Sequence, residues 1–478
     1  MGYRDLREWL AIVDEFGEIK RINGAHWRLE MGGLADVIYR EHPGTPPAIL
    51  FDEIVEYPKG YRALFGQISS PRRLALTLDM PLEYDSMMDF IRAYREKIRV
   101  LDPIPPRVVG KTVAEENLQE GEAVDLYRFP APIHHELDGG RYFGTGHVVI
   151  TRDPDEGWVN LGAYRLQLHD KNTLGFYSSP GKHGTIHRQK YFDRGQPCPV
   201  AVAIGCDPIL WLVGSMEIPL GMSEYDYAGA LKGRPMEVVE GKLTGLPIPA
   251  QAEIIVEGEV LPHETRDEGP FGEWPGYYAS TARPEPIIRV KRVMYRSNPI
   301  MTCSQPARPR HEHSFHRAVI RSALIWDELE KVGVPDVRGV WCHEAGGSRL
   351  LTIVAIKQRY QGHAKQAATI AAQCHAGAYL GRYVMVVDED IDPSNTYDVL
   401  WAMTTRVDPE RDIDILRDTW GSKIDPLVRK PAESYHNSRA LINACRPYEW
   451  LHDFPPVTET SPELRDKLIA KFGKGILE

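Results

Sequence analysis

The stretch GHVVITRDPDEGWVNLGAYRLQL, Gly146–Leu168, decides the fold. Its β-branched, apolar runs are short, and Asp, Pro and Gly punctuate them. The pattern predicts strands over His147–Thr151 and Val159–Leu168. Runs of the same texture recur at Val200–Ile204, Ile209–Val213, Glu253–Val260 and Ile287–Tyr295. Short strands at this density predict a sheet-built or barrel core rather than βαβ repeats.

The texture differs on either side. Towards the N-terminus, Leu6, Trp9, Leu10, Val13 and Phe16 recur at helical spacing, with Gly17 near the end. An apolar run, Ala48–Phe51, and a helical stretch, Met87–Val100, follow. Proline-rich Leu101–Arg107 reads as a linker. Beyond Ser314, strand and helix alternate. Helices are expected over Phe315–Val332, Gly362–Cys374 and Thr396–Thr405, and strands over Leu350–Ile356 and Tyr383–Val387, which favours a parallel α/β layer. Ser461 as cap and Pro462 at the first position mark a last helix. The expected units are 1–107, a small α/β domain; 108–313, β-rich; and 314–478, a linking helix and a second α/β domain. At 478 residues the chain is long enough for three.

Composition excludes several classes. The net charge is -10 and no Lys/Arg block stands out, so a nucleic-acid partner is not expected. Met1–Lys20 is charged and amphipathic, and nowhere do 18 apolar residues run together, so no membrane segment is expected. Cys198, Cys206, Cys303, Cys342, Cys374 and Cys445 are scattered without Cys-x-x-Cys spacing, which fits buried thiols in a reducing cytoplasm.

The strongest local signal for chemistry is RDEGPFGEWPGYY, Arg266–Tyr278. Gly269, Pro270 and Gly272 permit a tight reversal between Glu268 and Glu273. Two carboxylates in one pocket push their pKa values apart, so one can hold a proton near neutrality. A solvated surface turn is the alternative; the flanking Phe271, Trp274, Tyr277 and Tyr278 favour a packed one. In WVNLGAYRLQ, Trp158–Gln167, Asn160 and Arg165 are an odd number of residues apart and would face opposite sides of a regular strand. They share a site only if the strand breaks, and Gly162 is the obvious place. An edge strand with two exposed polar residues explains the spacing equally well. Lys182 and His183 sit in a Gly/Pro loop of the kind whose backbone can approach a phosphate, and Glu224 stands at an expected helix start. Arg308, Arg310, His311, His313 and His316 form a dense basic group able to grip a carboxylate, or else a helix N-terminus with surface histidines.

Taken in order, these pieces resemble the UbiD family of reversible aromatic decarboxylases. The similarity runs over nearly the whole chain and includes GHAK at Gly362–Lys365, VVDEDID at Val386–Asp392 and LWAMTTRVDP at Leu400–Pro409. It looks closest to the branch acting on phenolic and heteroaromatic acids. The resemblance implies an α/β (α+β) fold: a small N-terminal α/β domain, a central split barrel that binds flavin, and a C-terminal α/β domain that oligomerises the protein as homodimers or homohexamers.

The resemblance also implies a site. Asn160, His183 and Glu224 match ligands of Mn²⁺ (or Mg²⁺) held against the cofactor phosphate, with K⁺ nearby. Asn160, Leu161, Gly162, Ala163, Tyr164, Arg165, Lys182, His183 and Glu224 match segments lining prenylated FMN. Arg382 falls where relatives often carry a phosphate-binding lysine. Arg165, Glu268 and Glu273 match the catalytic network, with Glu273 as proton donor and Glu268 as its ionised partner. The implied reaction is loss of CO₂ from an aromatic or heteroaromatic acid through a covalent prenylated-FMN adduct, the cofactor being supplied by a separate flavin prenyltransferase. Trp274, Arg308, His311 and His313 are expected to shape the substrate pocket. A non-catalytic flavin-binding or assembly subunit of a larger carboxylase is the alternative, and a divalent-metal hydrolase a third reading.

Overall fold

Trp9, Leu10 and Val13 bury one face of the first helix, Leu6–Glu15, whose N-terminus is capped by the Asp5 side chain accepting from the Glu8 N–H. In the computed structural model, which describes residues 2–216, 218, 220–428 and 435–473, that face lies against a four-stranded sheet. The strand order is Ile19–Asn23, Ala48–Asp52, Arg62–Phe65, Ile300–Thr302. The last strand arrives more than 200 residues after its parallel neighbour, and its Ile300 packs with Trp9, Leu50 and Leu64. The chain thus returns from the β-rich stretch to complete the first sheet.

The central sheet has nine strands. Eight form one path, in the order Arg141–Gly144, Arg165–Asp170, Thr173–Tyr177, Arg283–Tyr295, Ile254–Glu268, Cys198–Ile204, His147–Arg152, Val159–Gly162. The expected strand Val159–Leu168 is therefore two strands, broken just after Gly162, and the halves sit six places apart. Laid flat, six inter-strand spacings amount to about 29 Å. The two-residue link Ala163–Tyr164 reaches about 11 Å at most. The sheet must curl until its ends meet, which makes it the expected split barrel. A one-residue shift in register near Gly258 of the long hairpin marks a bulge that assists the bend. A Cβ there would lie 2.3 Å from the Arg289 carbonyl oxygen.

One expected strand is a helix. Pro208–Gly214 is helical because Asp207 caps the Ile209 N–H and Pro208 occupies the first turn. A five-residue apolar run does not by itself distinguish a buried helix from a strand.

The linking helix, Glu312–Lys331, is capped by His311 and buries Phe315, Val319, Ile325 and Trp326. Its first residue, Glu312, is fully buried; one carboxylate oxygen accepts the Gln67 N–H at 3.2 Å. Burial pushes its pKa up to about 8. An acid whose folded pKa is raised keeps its proton in the fold while the unfolded chain sheds it, so its contribution is full below about 4.5 and lost as pH rises towards 8. Stability in chemical denaturation is expected to fall across that window. Glu312→Gln should flatten the fall; an unchanged pH slope would contradict the assignment.

The C-terminal sheet runs Val337–Cys342, Leu351–Ile356, Tyr383–Asp388, His436–Ala444, Ile413–Trp420. Its three inner strands are parallel and its outer two antiparallel. The last helix, Pro462–Phe472, is capped by Ser461 as expected, and none of its residues is buried.

Candidate active site

The break after Gly162 builds the site. Arg165 opens the strand next to one end of the curled sheet, and Asn160 lies in the strand at the other end. The long strand Ile254–Glu268 ends on Glu268, so the EGPFGE reversal starts where pairing with Arg283–Tyr295 stops. Gly269, at φ 87°, makes that turn, and its N–H donates to the Gln167 side chain at 2.8 Å. The Pro270 carbonyl accepts the Gly139 N–H at 2.8 Å, so the loop is held on both sides.

This reversal brings both carboxylates to Arg165. Its guanidinium donates twice to Glu268, Nε–Oε1 2.7 Å and Nη2–Oε2 2.8 Å, and once to Glu273, Nη1–Oε1 3.3 Å. The bidentate fork fixes the plane of the guanidinium. The Arg165 and Glu268 side chains are 10% and 1% exposed, so the ordinary surface turn is excluded. Tyr142 closes over them, its hydroxyl 3.3 Å from Glu268 Oε1, and the guanidinium lies 4.5 Å from the Tyr177 ring centre and 4.7 Å from that of Phe271. Burial opposes the Arg165 charge, but Glu268 and Glu273 outweigh it and hold the group firmly protonated. Glu273 is raised as well, but for an acid this favours the neutral form: burial raises its pKa, Arg165 lowers it less, and the net direction is upward. The two acids thus sit in unequal surroundings around one cation.

A second polar group lies across the Ala163–Tyr164 link. Asn160 is buried, and its amide donates to the Tyr164 hydroxyl at 3.2 Å. That hydroxyl also accepts the Gly184 N–H at 3.0 Å. The Tyr164 ring is seated against two glycines: a Cβ at Gly162 or Gly184 would fall 2.2 or 2.5 Å from it. His183 is the first residue of the helix His183–Asp193, with Lys182 as its cap, and Glu224 the first of the helix Glu224–Lys232. Glu224 accepts the Leu161 N–H at 2.7 Å. Asn160 belongs to the Asn160–Tyr164 segment, Glu224 is hydrogen-bonded to it through the Leu161 N–H, and His183 precedes Gly184, whose N–H donates to Tyr164. Burial pushes the Glu224 carboxyl up to about 8 and lowers the His183 imidazole, with Lys182 adding to the latter. As a donor set, a buried carboxylate, an amide oxygen and a neutral imidazole fit a hard divalent cation, whose charge would reverse the cost of ionising Glu224. Two helix N-termini at the same place fit a phosphate. The donor chemistry suits a metal-bridged phosphate.

The remaining predicted positions divide. Buried Trp274 packs its ring beside Gly347, and its carbonyl accepts from His311 Nε2 at 3.1 Å. His313 is buried against Trp211 and 2.7 Å from Ser304 Oγ, and burial drives its pKa well below the usual range. Arg308 is exposed, and its Cα and Cβ pack on the Gly276 turn. Arg382 pairs with Asp425 inside the C-terminal domain. Sequence reasoning missed Tyr142 and Tyr177, which pack on Arg165, and Lys423, whose amine lies 5.3 Å from the Tyr177 ring centre. Nothing in their local sequence distinguishes them.

Three family models of 3-octaprenyl-4-hydroxybenzoate carboxy-lyase match the chain: the N-terminal domain over 10–91, the Rift-related domain over 107–309 and the C-terminal domain over 314–444. The chain is 35% identical to the pyrrole-2-carboxylic acid decarboxylase of Pseudomonas aeruginosa, over 80% of this chain and 79% of that protein. It is 31% identical to the phenolic acid decarboxylase of Bacillus subtilis, over 89% of each. Among solved structures, the UbiD-class enzyme HmfF from Pelotomaculum thermopropionicum, in complex with FMN, superposes with a TM-score of 0.85 at 28% identity, covering 98% of this chain and 100% of that one. Vanillic acid decarboxylase of Sedimentibacter hydroxybenzoicus, in open form, gives 0.84 at 28%, covering 100% and 99%. With its three matched domains, its curled sheet and its Arg165–Glu268–Glu273 cluster, the chain belongs to the UbiD carboxy-lyase family.

Proposed function

We propose that the chain catalyses the reversible, non-oxidative decarboxylation of an aromatic or heteroaromatic carboxylic acid, with prenylated FMN bound between the Asn160–Arg165 segment and the Glu268–Glu273 loop. One observation carries the reading: the Arg165–Glu268–Glu273 cluster stands at one end of a two-residue link, and buried Asn160, buried Glu224 and half-buried His183 gather at the other. Prenylated FMN supplies the electron sink that no side chain offers for an aryl carbanion. Asn160, His183 and Glu224 would hold Mn²⁺ or Mg²⁺ against its phosphate, with K⁺ close by. Glu273, the acid raised by burial, delivers the proton to the ring carbon after CO₂ departs. Arg165 orients Glu273 and is itself fixed by Glu268. Tyr142 and Phe271 keep water from the cluster. Trp274 and His311 shape the far wall.

The names of the compared proteins favour a pyrrole-type or phenolic acid. A separate flavin prenyltransferase would supply the cofactor. The last helix exposes Leu464, Leu468 and Phe472 at four-residue spacing, an apolar stripe suited to a second copy of the chain in a homodimer or homohexamer. Among the described residues no helix is long and apolar enough to cross a membrane, and the six cysteines are free thiols, in keeping with a reducing cytoplasm. A non-catalytic assembly subunit would have no need for the full Arg165–Glu268–Glu273 cluster.

Protein co-expressed with a flavin prenyltransferase and purified without oxygen is expected to carry flavin absorbance and to release CO₂ from a panel of aryl acids. Turnover without flavin would instead support a metal hydrolase. Bound flavin with no turnover on any acid would support the assembly-subunit reading.

A further inference from the structure

The acid–base cluster contains one cation and two carboxyl groups. Arg165 has three hydrogen bonds to Glu268 and Glu273. An aryl carboxylate entering here meets two acids whose hydrogen-bonded cation, Arg165, is already engaged by both. Burying an anion there requires another cation. Two others face the same aromatic floor, Tyr177. Arg283 lies 4.8 Å from the ring centre but is bonded to Glu285 at 2.6 Å. The Lys423 amine lies 5.3 Å from that centre, and among the described residues no carboxylate pairs with it.

Lys423 comes from the C-terminal domain. It follows the strand Ile413–Trp420, on a turn braced at several points. The Tyr379 hydroxyl donates to Ser422 Oγ at 2.6 Å, the Asp425 N–H to the Ser422 carbonyl at 3.1 Å, and Asp425 takes the Arg382 guanidinium. This explains what Arg382 does in this chain: it anchors the turn that aims Lys423. The Lys423 charge is felt at Glu273, and Tyr379 is within electrostatic reach of both Tyr177 and Glu273, so the turn faces the cluster.

We infer that Lys423 is a specificity-determining residue that binds the carboxylate of the incoming aryl acid, so that the pocket is complete only with the C-terminal domain laid across it. The inference rests on the decarboxylase reading for its substrate class but not for its test.

The test is calorimetric binding of benzoate and of benzamide to flavin-loaded protein. Lys423→Met should weaken benzoate about tenfold and leave benzamide within twofold. Lys423→Arg should recover most of the benzoate affinity. Equal affinity of wild type and Lys423→Met for benzoate overturns the inference, and so does an equal loss for both probes, which would mark a structural role. If wild-type protein binds benzoate but turns over no acid, the decarboxylase reading fails while the outcome for Lys423 still stands. Where turnover is seen, the methionine variant should raise KM about tenfold with kcat within about threefold.

Discussion

Glu273→Gln is expected to reduce CO₂ release by about 10²–10⁴-fold, the range a positioned general acid contributes. Flavin content and the unfolding midpoint should stay near wild type. The amide keeps the shape of the side chain, and its oxygen can still accept the 3.3 Å bond from Arg165 Nη1. Arg165 also keeps its two bonds to Glu268, so the scaffold is intact. Only the transferable proton is lost. Glu273 suits the task because burial raises its pKa while the adjacent Arg165 fixes its direction. Wild-type turnover in this variant would remove Glu273 as the donor.

Arg165→Leu should be more damaging, because it strikes chemistry and stability together. Glu268 is 1% exposed and receives two of its bonds from this guanidinium. Removing one member of a buried ion pair costs about 3–5 kcal/mol, because the other charge is left without a partner. The unfolding midpoint should fall accordingly, and turnover should drop below detection because Glu273 loses its orienting bond. Arg165→Leu with Glu268→Leu should recover much of the stability and none of the activity. If the single variant were as stable as wild type, the Arg165–Glu268 fork would not be the structural clamp described here.

How much was legible in the sequence depended on how local the cause was. The first helix follows from apolar spacing and the last from its capping Ser461, and both formed as read. Pro208–Gly214 misled because five apolar residues carry no usable period; the decisive signals were Asp207 and Pro208 just before them. The break after Gly162 was legible as a requirement, since Asn160 and Arg165 have opposite parity. It was not legible that the two halves would pair at opposite ends of one sheet. Glu268 and Glu273 stood out as paired carboxylates and Arg165 as a polar residue in a broken strand; their joining into one network entered through family resemblance, and their unequal surroundings became visible only in the fold.

By itself the sequence determined the texture of each unit, the capping residue of the last helix, the turn-forming residues, the lack of a Lys/Arg block, and the ordered motifs that mark the family. Those properties reside in neighbouring residues and survive in any conformation. Tertiary structure alone decided that the central sheet curls, because closure depends on where strands a hundred residues apart find their register. It alone decided that Ile300–Thr302 completes the first sheet and that Lys423 comes to the Tyr177 ring. Each of those contacts joins residues far apart in the chain, and their free energy comes from burial that exists only once the whole fold has formed.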